Sequence, residues 1–224
     1  MIKANFLEIL SNKTLFIFDF DGVLAESVNI KTEAFRSMYT QYGEEIAERV
    51  VKHHLNHAGI SRYKKFSYYH SNYLNKELNS DELKHLCQSF SKLVKKNVIQ
   101  APAVMGSVDF LEKLNKNNKT CVINTGTPTE EIKEILLKRK IDYLFKAAYG
   151  SPSSKVENLT KLTKKFDTLT RRTIFFGDAN TDLNAAKELN MDFIYIGNSI
   201  KLIQECNKEE MLFFSNFYEL SKYM

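Results

Sequence analysis

The chain has 224 residues, 43% of them hydrophobic, and a formal net charge of +5, which suits a globular protein with a sizeable core and provides no broad basic surface for nucleic acid. Its apolar runs fall far short of the roughly 18 residues that suggest a membrane span, and Lys3, Asn5 and Glu8 stand where a signal peptide would be apolar. A soluble, cytoplasmic protein with no nucleic-acid or membrane partner is expected. Cys87, Cys121 and Cys206 are odd in number and form no CxxC pair, which speaks against a disulfide framework and a thiolate metal site.

The first element is the run Leu15-Phe16-Ile17-Phe18, leading straight into Asp19-Phe20-Asp21-Gly22. Four β-prone residues in a row suit a strand buried on both faces, as in a parallel sheet, where chemistry collects just past the carboxyl ends of the strands. The competing reading is a hairpin in which Asp21-Gly22 is only a turn signal. From Val28 the spacing turns helical, with Ala34, Phe35, Met38, Tyr39 and Tyr42 on one face and Gly43 as a stop. A second helix is expected over Ile46, Ala47, Val50, Val51, His54 and Leu55, followed by a break at His57–Ile60. Leu83, Leu86, Cys87, Phe90, Leu93 and Val94 mark a further helix after a start signal at Ser80-Asp81. Residues 25–100 thus read as an all-helical insertion, with 12 Lys and Arg against 8 Asp and Glu, a surplus that could face an anion.

From Ala101-Pro102 helix and strand patterns alternate. Ser107 is placed as the cap of a helix carrying Val108, Leu111 and Leu114. Thr120–Asn124 reads as a short buried strand ending at Thr125-Gly126, and Thr127-Pro128-Thr129-Glu130 as a capping box that opens the next helix. Ala147–Tyr149 is a weak strand, followed by Lys155 and a helix with Val156, Leu159, Leu162 and Phe166. Thr173–Phe176 is a strong strand ending in Gly177-Asp178, with Asp182 at the following helix start. Phe193–Ile196 is another strand and Met211–Phe214 an edge strand. The alternation implies an α/β fold, a doubly wound parallel sheet built from residues 1–24 and 101–224, carrying a helical cap of residues 25–100. In that architecture Asp19, Asp21, Thr125, Lys155, Asp178 and Asp182 converge at a topological switch point.

Several carboxylates without His or Cys partners make a hard-oxygen site, and Asp19 with Asp178 suits Mg²⁺. Thr125, the amides at the adjoining helix start and Lys155 supply donors for a phosphate. One carboxylate is then free to attack phosphorus, and Asp21 to act as acid and base.

These motifs resemble those of the haloacid dehalogenase superfamily of phosphohydrolases. Asp19-Phe20-Asp21-Gly22 is similar to its first motif, Thr125 to its second, Lys155 to its third and Gly177-Asp178-Ala179-Asn180-Thr181-Asp182 to its fourth; the insertion resembles the helical cap of the phosphoglycolate phosphatase-like and β-phosphoglucomutase-like group. The resemblance implies Asp19 as nucleophile and metal ligand, Asp21 as acid/base that also offers its backbone carbonyl to Mg²⁺, and Asp178 as ligand. It further implies Thr125, Lys155 and Gly126 around the phosphoryl group, and Asp182 as support for Lys155 or the metal shell. Dehalogenases of the family lack an acid at the position of Asp21, so its presence favours phosphoryl transfer; the leading reading is hydrolysis of a small phosphorylated metabolite by a monomer or homodimer. A phosphomutase would use the same residues, and a non-enzymatic receiver-like domain is a distant third reading. Gly59-Ile60-Ser61-Arg62 resembles a cap loop that reaches substrate, with Arg62 and Lys65 placed to meet a distal anion or else to form a solvated face. His53, His54 and His57 have helical spacing that could grip a metal or contact substrate, and Phe66, Tyr68, Tyr69 and Tyr73 read as cap core.

Overall fold

A computed structural model describes residues 6–208 and 211–222. After a short helix α1 (Phe6–Ser11), strand β1 (Leu15–Phe18) runs through the middle of the molecule, and all four of its residues are buried. Its neighbours are β2 (Thr120–Pro128) and β4 (Thr173–Gly177), both parallel to it, with Leu15 in register with Thr120 on one side and Thr173 on the other. The flanking parallel partners rule out the hairpin reading. With β3 (Ala147–Ser151), β5 (Asp192–Ile196) and the edge strand β6 (Leu212–Phe214) the sheet has six strands in the order β3-β2-β1-β4-β5-β6, all paired in parallel. Strand order reverses at β1, which makes its carboxyl end the switch point.

The period-2 geometry of a strand sends alternate residues of β1 into different layers. Phe16 and Phe18 join one cluster and Leu15 and Ile17 another; Phe18 stacks on Phe176 of β4 with ring centroids 4.8 Å apart. Each such phenylalanine contributes at most about 3 kcal/mol by area removed from water, and together they hold β1 rigidly where its last residue must present Asp19.

Four helices occupy residues 28–100 with no intervening strand: α2 (Val28–Tyr39), α3 (Glu44–Asn56), α4 (Arg62–Leu74) and α5 (Ser80–Gln100). Gly43, at φ +104°, separates α2 and its trailing 3₁₀ turn from α3. Asn79 caps α5 through the amides of Asp81 and Glu82, one residue before the start that the sequence suggests. The insertion builds an aromatic cluster of its own, in which Phe35 lies 4.4 Å from Phe90 and Tyr39 meets Tyr69 edge-on at 5.4 Å. Phe66 and Tyr69 belong to it, and Tyr73 lies against it. Tyr68 sits at its rim: one residue before Tyr69, it is 40% exposed, meets Tyr69 and Tyr73 edge-on and stacks on His53.

The remaining helices are α6 (Ser107–Lys116), α7 (Thr129–Lys138), α8 (Lys155–Lys165), α9 (Asn180–Glu188), α10 (Ile200–Lys208) and α11 (Phe217–Ser221). Two expected caps are absent. Ser107 is already helical, with Gly106 ahead of it at φ +78°. Strand β2 continues to Pro128, so α7 begins at Thr129 and Thr127 is no cap; its hydroxyl has another partner, described below. The three cysteines are buried and none is in a disulfide, and among the described residues no helix is long and apolar enough to cross a membrane.

Candidate active site

Asp19 follows the last residue of β1 and is almost fully buried. Its Oδ1 accepts the amide of Phe20 at 2.6 Å, and its Oδ2 accepts from Lys155 Nζ at 2.5 Å. Lys155 opens α8, after the Ser154–Glu157 capping box has fixed the start of that helix, and its ammonium also pairs with Asp182. Burial alone would drain the charge from Lys155, but Asp182 and Asp19 outweigh it and hold its pKa above the usual lysine value. Asp182 sits in the first turn of α9, where its other oxygen accepts the amide of Ala179 at 3.2 Å.

Asp178 completes the acidic group: one carboxylate oxygen each from Asp19, Asp178 and Asp182 lie within 4.8 Å of one another. Burial, followed by repulsion from Asp19 and Asp182, pushes the Asp178 pKa well above the ordinary carboxylate range. Three clustered oxygen donors that repel one another fit a small hard cation such as Mg²⁺. Gly22 makes this approach possible. Its φ of +78° disfavours other residues, and a Cβ there would lie 2.1 Å from Asp178 Oδ2. Gly22→Ala is therefore expected to cost about 1–3 kcal/mol in denaturant titration and to displace Asp178, read as weaker binding of a divalent cation in a direct titration; a variant unchanged in both would show that the loop relaxes freely.

Asp21 is held differently. Its carboxylate accepts from Ser27 Oγ at 2.6 Å, from Thr127 Oγ1 at 3.1 Å and from the Lys31 ammonium, while Lys31 also donates to Thr127 Oγ1 at 2.7 Å. Burial raises the Asp21 pKa, yet the Lys31 charge and these hydrogen bonds more than offset it and leave it below the ordinary value. Thr127 thus belongs to the site instead of to a helix cap. Thr125 is buried and its hydroxyl accepts the amide of Thr127 at 3.3 Å; with Lys155 it lines a neighbouring cleft, while Gly126 reaches the cavity beside Asp21.

The insertion closes this site from above. A cavity of about 60 Å³ is bounded by Asp19, Asp21, Gly126 and Asp178 below, and by Lys31, Phe35, His54, Arg62, Lys65 and Phe90 above. The seal is backbone against backbone: a Cβ on Gly126 would lie 2.7 Å from the carbonyl oxygen of Gly59, and Thr181 Oγ1 donates to the carbonyl of Ala58 at 2.8 Å. Arg62 borders the cavity, but its fork is occupied. Nη2 and Nη1 bind the two oxygens of Glu131 on α7 at 2.6 and 2.9 Å, Nη1 also meets Ser91 Oγ at 2.6 Å, and the guanidinium lies 4.7 Å from the Phe90 ring centroid. The expectation that Arg62 reads a distal anion is corrected accordingly: in this closed arrangement it ties the cap to the core. The three histidines do not form one group. His54 faces the cavity, whereas His53 and His57 stack on each other at 4.0 Å, and among the described residues the only candidate metal cluster is the aspartate one.

Lys31 and Thr127 are missed by motif reading. A signal for the first exists: Lys31 falls on the Val28–Phe35 stripe of α2, as His54 falls on the Ala47–Val50 stripe of α3, and a polar residue on an apolar face is turned inward.

A model of the haloacid dehalogenase-like hydrolases matches residues 16–196. Among curated protein sequences none matches. Among solved structures, a predicted phosphoglycolate phosphatase from Haemophilus somnus 129pt is similar, with 20% identity and a TM-score of 0.72 over 94% of this chain and 97% of that one. A β-phosphoglucomutase from Clostridium difficile has 18% identity and a TM-score of 0.71 over 94% and 97%. A predicted phosphatase from Clostridium acetobutylicum has 19% and 0.73 over 94% and 97%. At these identities the structural likeness speaks for the fold alone, whereas the family model spans most of the chain including the Asp19, Thr125, Lys155 and Asp178 segments: the chain belongs to the haloacid dehalogenase-like hydrolase family.

Proposed function

We propose that the protein is a Mg²⁺-dependent phosphatase that hydrolyses a small phosphorylated metabolite through an aspartyl-phosphate on Asp19. The observation that carries this reading is a buried carboxylate at the end of the central strand, hydrogen-bonded to a lysine at 2.5 Å and facing a small cavity. Asp19, Asp178 and the backbone carbonyl of Asp21 would hold the metal, with Asp182 supporting Lys155 from behind. Bound there, the metal supplies charge neutralisation and orients a phosphoryl oxygen.

A carboxylate oxygen of Asp19 attacks phosphorus as the bond to the leaving oxygen breaks, and Asp21 delivers a proton to that oxygen. Lys155, Thr125 and the Gly126 amide stabilise the phosphoryl oxygens. Asp21, now unprotonated, takes a proton from water as the water oxygen attacks phosphorus, and Asp19 is released with inorganic phosphate. Lys31 and Thr127 favour the ionised form of Asp21 that this second half needs. An incoming phosphoryl group draws the Lys31 ammonium toward itself, which eases protonation of Asp21 for the first half.

The test is phosphate release from a panel of sugar phosphates, nucleotides, phosphoglycolate and polyol phosphates by the purified protein with Mg²⁺. Isomer formation dependent on a bisphosphate donor, without net phosphate release, would replace hydrolysis by the mutase reading. EDTA is expected to silence the enzyme, and Asp178→Ala to raise the Mg²⁺ requirement about 10–100-fold or remove activity; full activity in EDTA would rule out the metal.

A further inference from the structure

The cations around the cavity are matched by carboxylates with one exception. Lys31 has Asp21, Lys155 has Asp19 and Asp182, and Arg62 has Glu131. Lys65 has none among the described residues. It lies on the inward stripe of α4, is 2% exposed and lines the cavity with Asp19 and Asp21. An ammonium has three hydrogens to place. One is directed at His54 Nδ1 at 2.7 Å and another at the His54 carbonyl at 3.4 Å, and neither partner is anionic. Burial, with the neighbouring Lys65 charge second, keeps His54 neutral by pushing its pKa down to about 2. The other nearby surface is the ring of Phe35, with its centroid 5.6 Å from Nζ. Burial, followed by repulsion from Lys31 and Lys155, lowers the Lys65 pKa to about 7.

A buried amine with a spare donor and no carboxylate in ion-pairing distance, only the more distant pull of Asp21, destabilises the empty protein, and an anion arriving in the cavity relieves that penalty. Because Arg62 is already spent on Glu131, Lys65 is the donor left on the cap side. We propose that Lys65 is a specificity residue that binds a second anionic group on the substrate, and that the preferred substrate is a short phosphomonoester whose leaving group bears a carboxylate or a further phosphate. The assignment rests on the phosphatase reading above and extends it to the distal end of the substrate. The space of about 60 Å³ between Asp19 and the cap side chains in this arrangement favours a leaving group of a few atoms.

Four substrates of matched length test it: phosphoglycolate, ethylene glycol bisphosphate, neutral ethyl phosphate and cationic phosphoethanolamine. Wild type should favour one or both anionic substrates over ethyl phosphate by at least about tenfold in kcat/KM and should treat phosphoethanolamine worst; whichever anion leads separates carboxylate from phosphate recognition. Lys65→Met should reduce the anionic-to-neutral ratio about 10²-fold, while its Tm is unchanged or higher because an unpaired buried amine has been replaced by an apolar chain of similar length. Lys65→Gln should reduce the same ratio and gives a second variant if the first folds poorly. Equal losses on all four substrates would make Lys65 structural and overturn the proposal. A wild type that hydrolyses them without preference would overturn this proposal alone, whereas failure to hydrolyse any phosphomonoester would sink the phosphatase reading and this assignment with it.

Discussion

Asp19→Asn is expected to reduce phosphate release by about 10³-fold or more, because the amide cannot attack phosphorus and the two half-reactions both pass through that atom. The fold should survive the change. Lys155 keeps its pairing with Asp182, and the amide oxygen can still accept one of the two hydrogen bonds that the Asp19 carboxylate accepts, from Lys155 at 2.5 Å or from the Phe20 amide at 2.6 Å, the other being lost at about 1 kcal/mol. Removing one negative charge from a cluster in which burial, followed by repulsion from Asp19 and Asp182, holds Asp178 well above the usual pKa range also lowers the electrostatic cost of the native state. Circular dichroism and Tm should therefore match wild type while turnover disappears. Activity above a few per cent of wild type would remove Asp19 from the nucleophile's role.

The second large effect is expected at Glu131, on stability. Its carboxylate and the Arg62 guanidinium form a bidentate pair with side chains only 9% and 4% exposed, so truncating one partner strands a buried charge. Glu131→Ala should cost about 3–5 kcal/mol in urea titration. Replacing both partners by apolar residues, Arg62→Met with Glu131→Leu, should recover most of that loss, since a buried ion pair contributes little net stability compared with well-packed apolar side chains. A single-variant cost below about 1 kcal/mol would show that the cap rests on the core without help from this pair. Arg62→Ala, by the same geometry, is expected to harm neutral and anionic substrates alike, in contrast to Lys65.

How much of this was legible beforehand depended on whether the determinant was local. The strand ends and their acids were readable, because Leu15–Phe18 is too apolar for an exposed strand and the Gly177-Asp178 turn follows a run of the same kind. The inserted helices were readable from 3.6-residue periodicity, which also marked Phe66 and Tyr69 as buried and, applied strictly, would have excluded Tyr68. What sequence could not supply was pairing across the cap–core boundary. Nothing local to Arg62 announces Glu131, 69 positions away, and nothing in Thr127-Pro128-Thr129-Glu130 reveals that β2 runs on to Pro128 and hands the Thr127 hydroxyl to Asp21. The capping-box pattern was present, but strand pairing with β3, which reaches Pro128 opposite Ser151, won over local propensity.

The backbone contact between Gly59 and Gly126 bears on timing. With those two glycines in contact and Thr181 bonded to Ala58, the helices rest on the core beside the cavity, so release of inorganic phosphate from beneath them is expected to be eased when they lift. Lifting requires the Arg62–Glu131 pair to separate and Lys31 to leave Asp21. Each turnover then includes a mechanical step whose duration is set far from the phosphorus atom, and product release becomes a natural candidate for the slowest event. A burst of both leaving group and phosphate in acid-quenched samples, and a steady-state rate that falls as solvent viscosity rises, are the kinetic signs of such an enzyme, one whose speed is governed by how long its door stays closed.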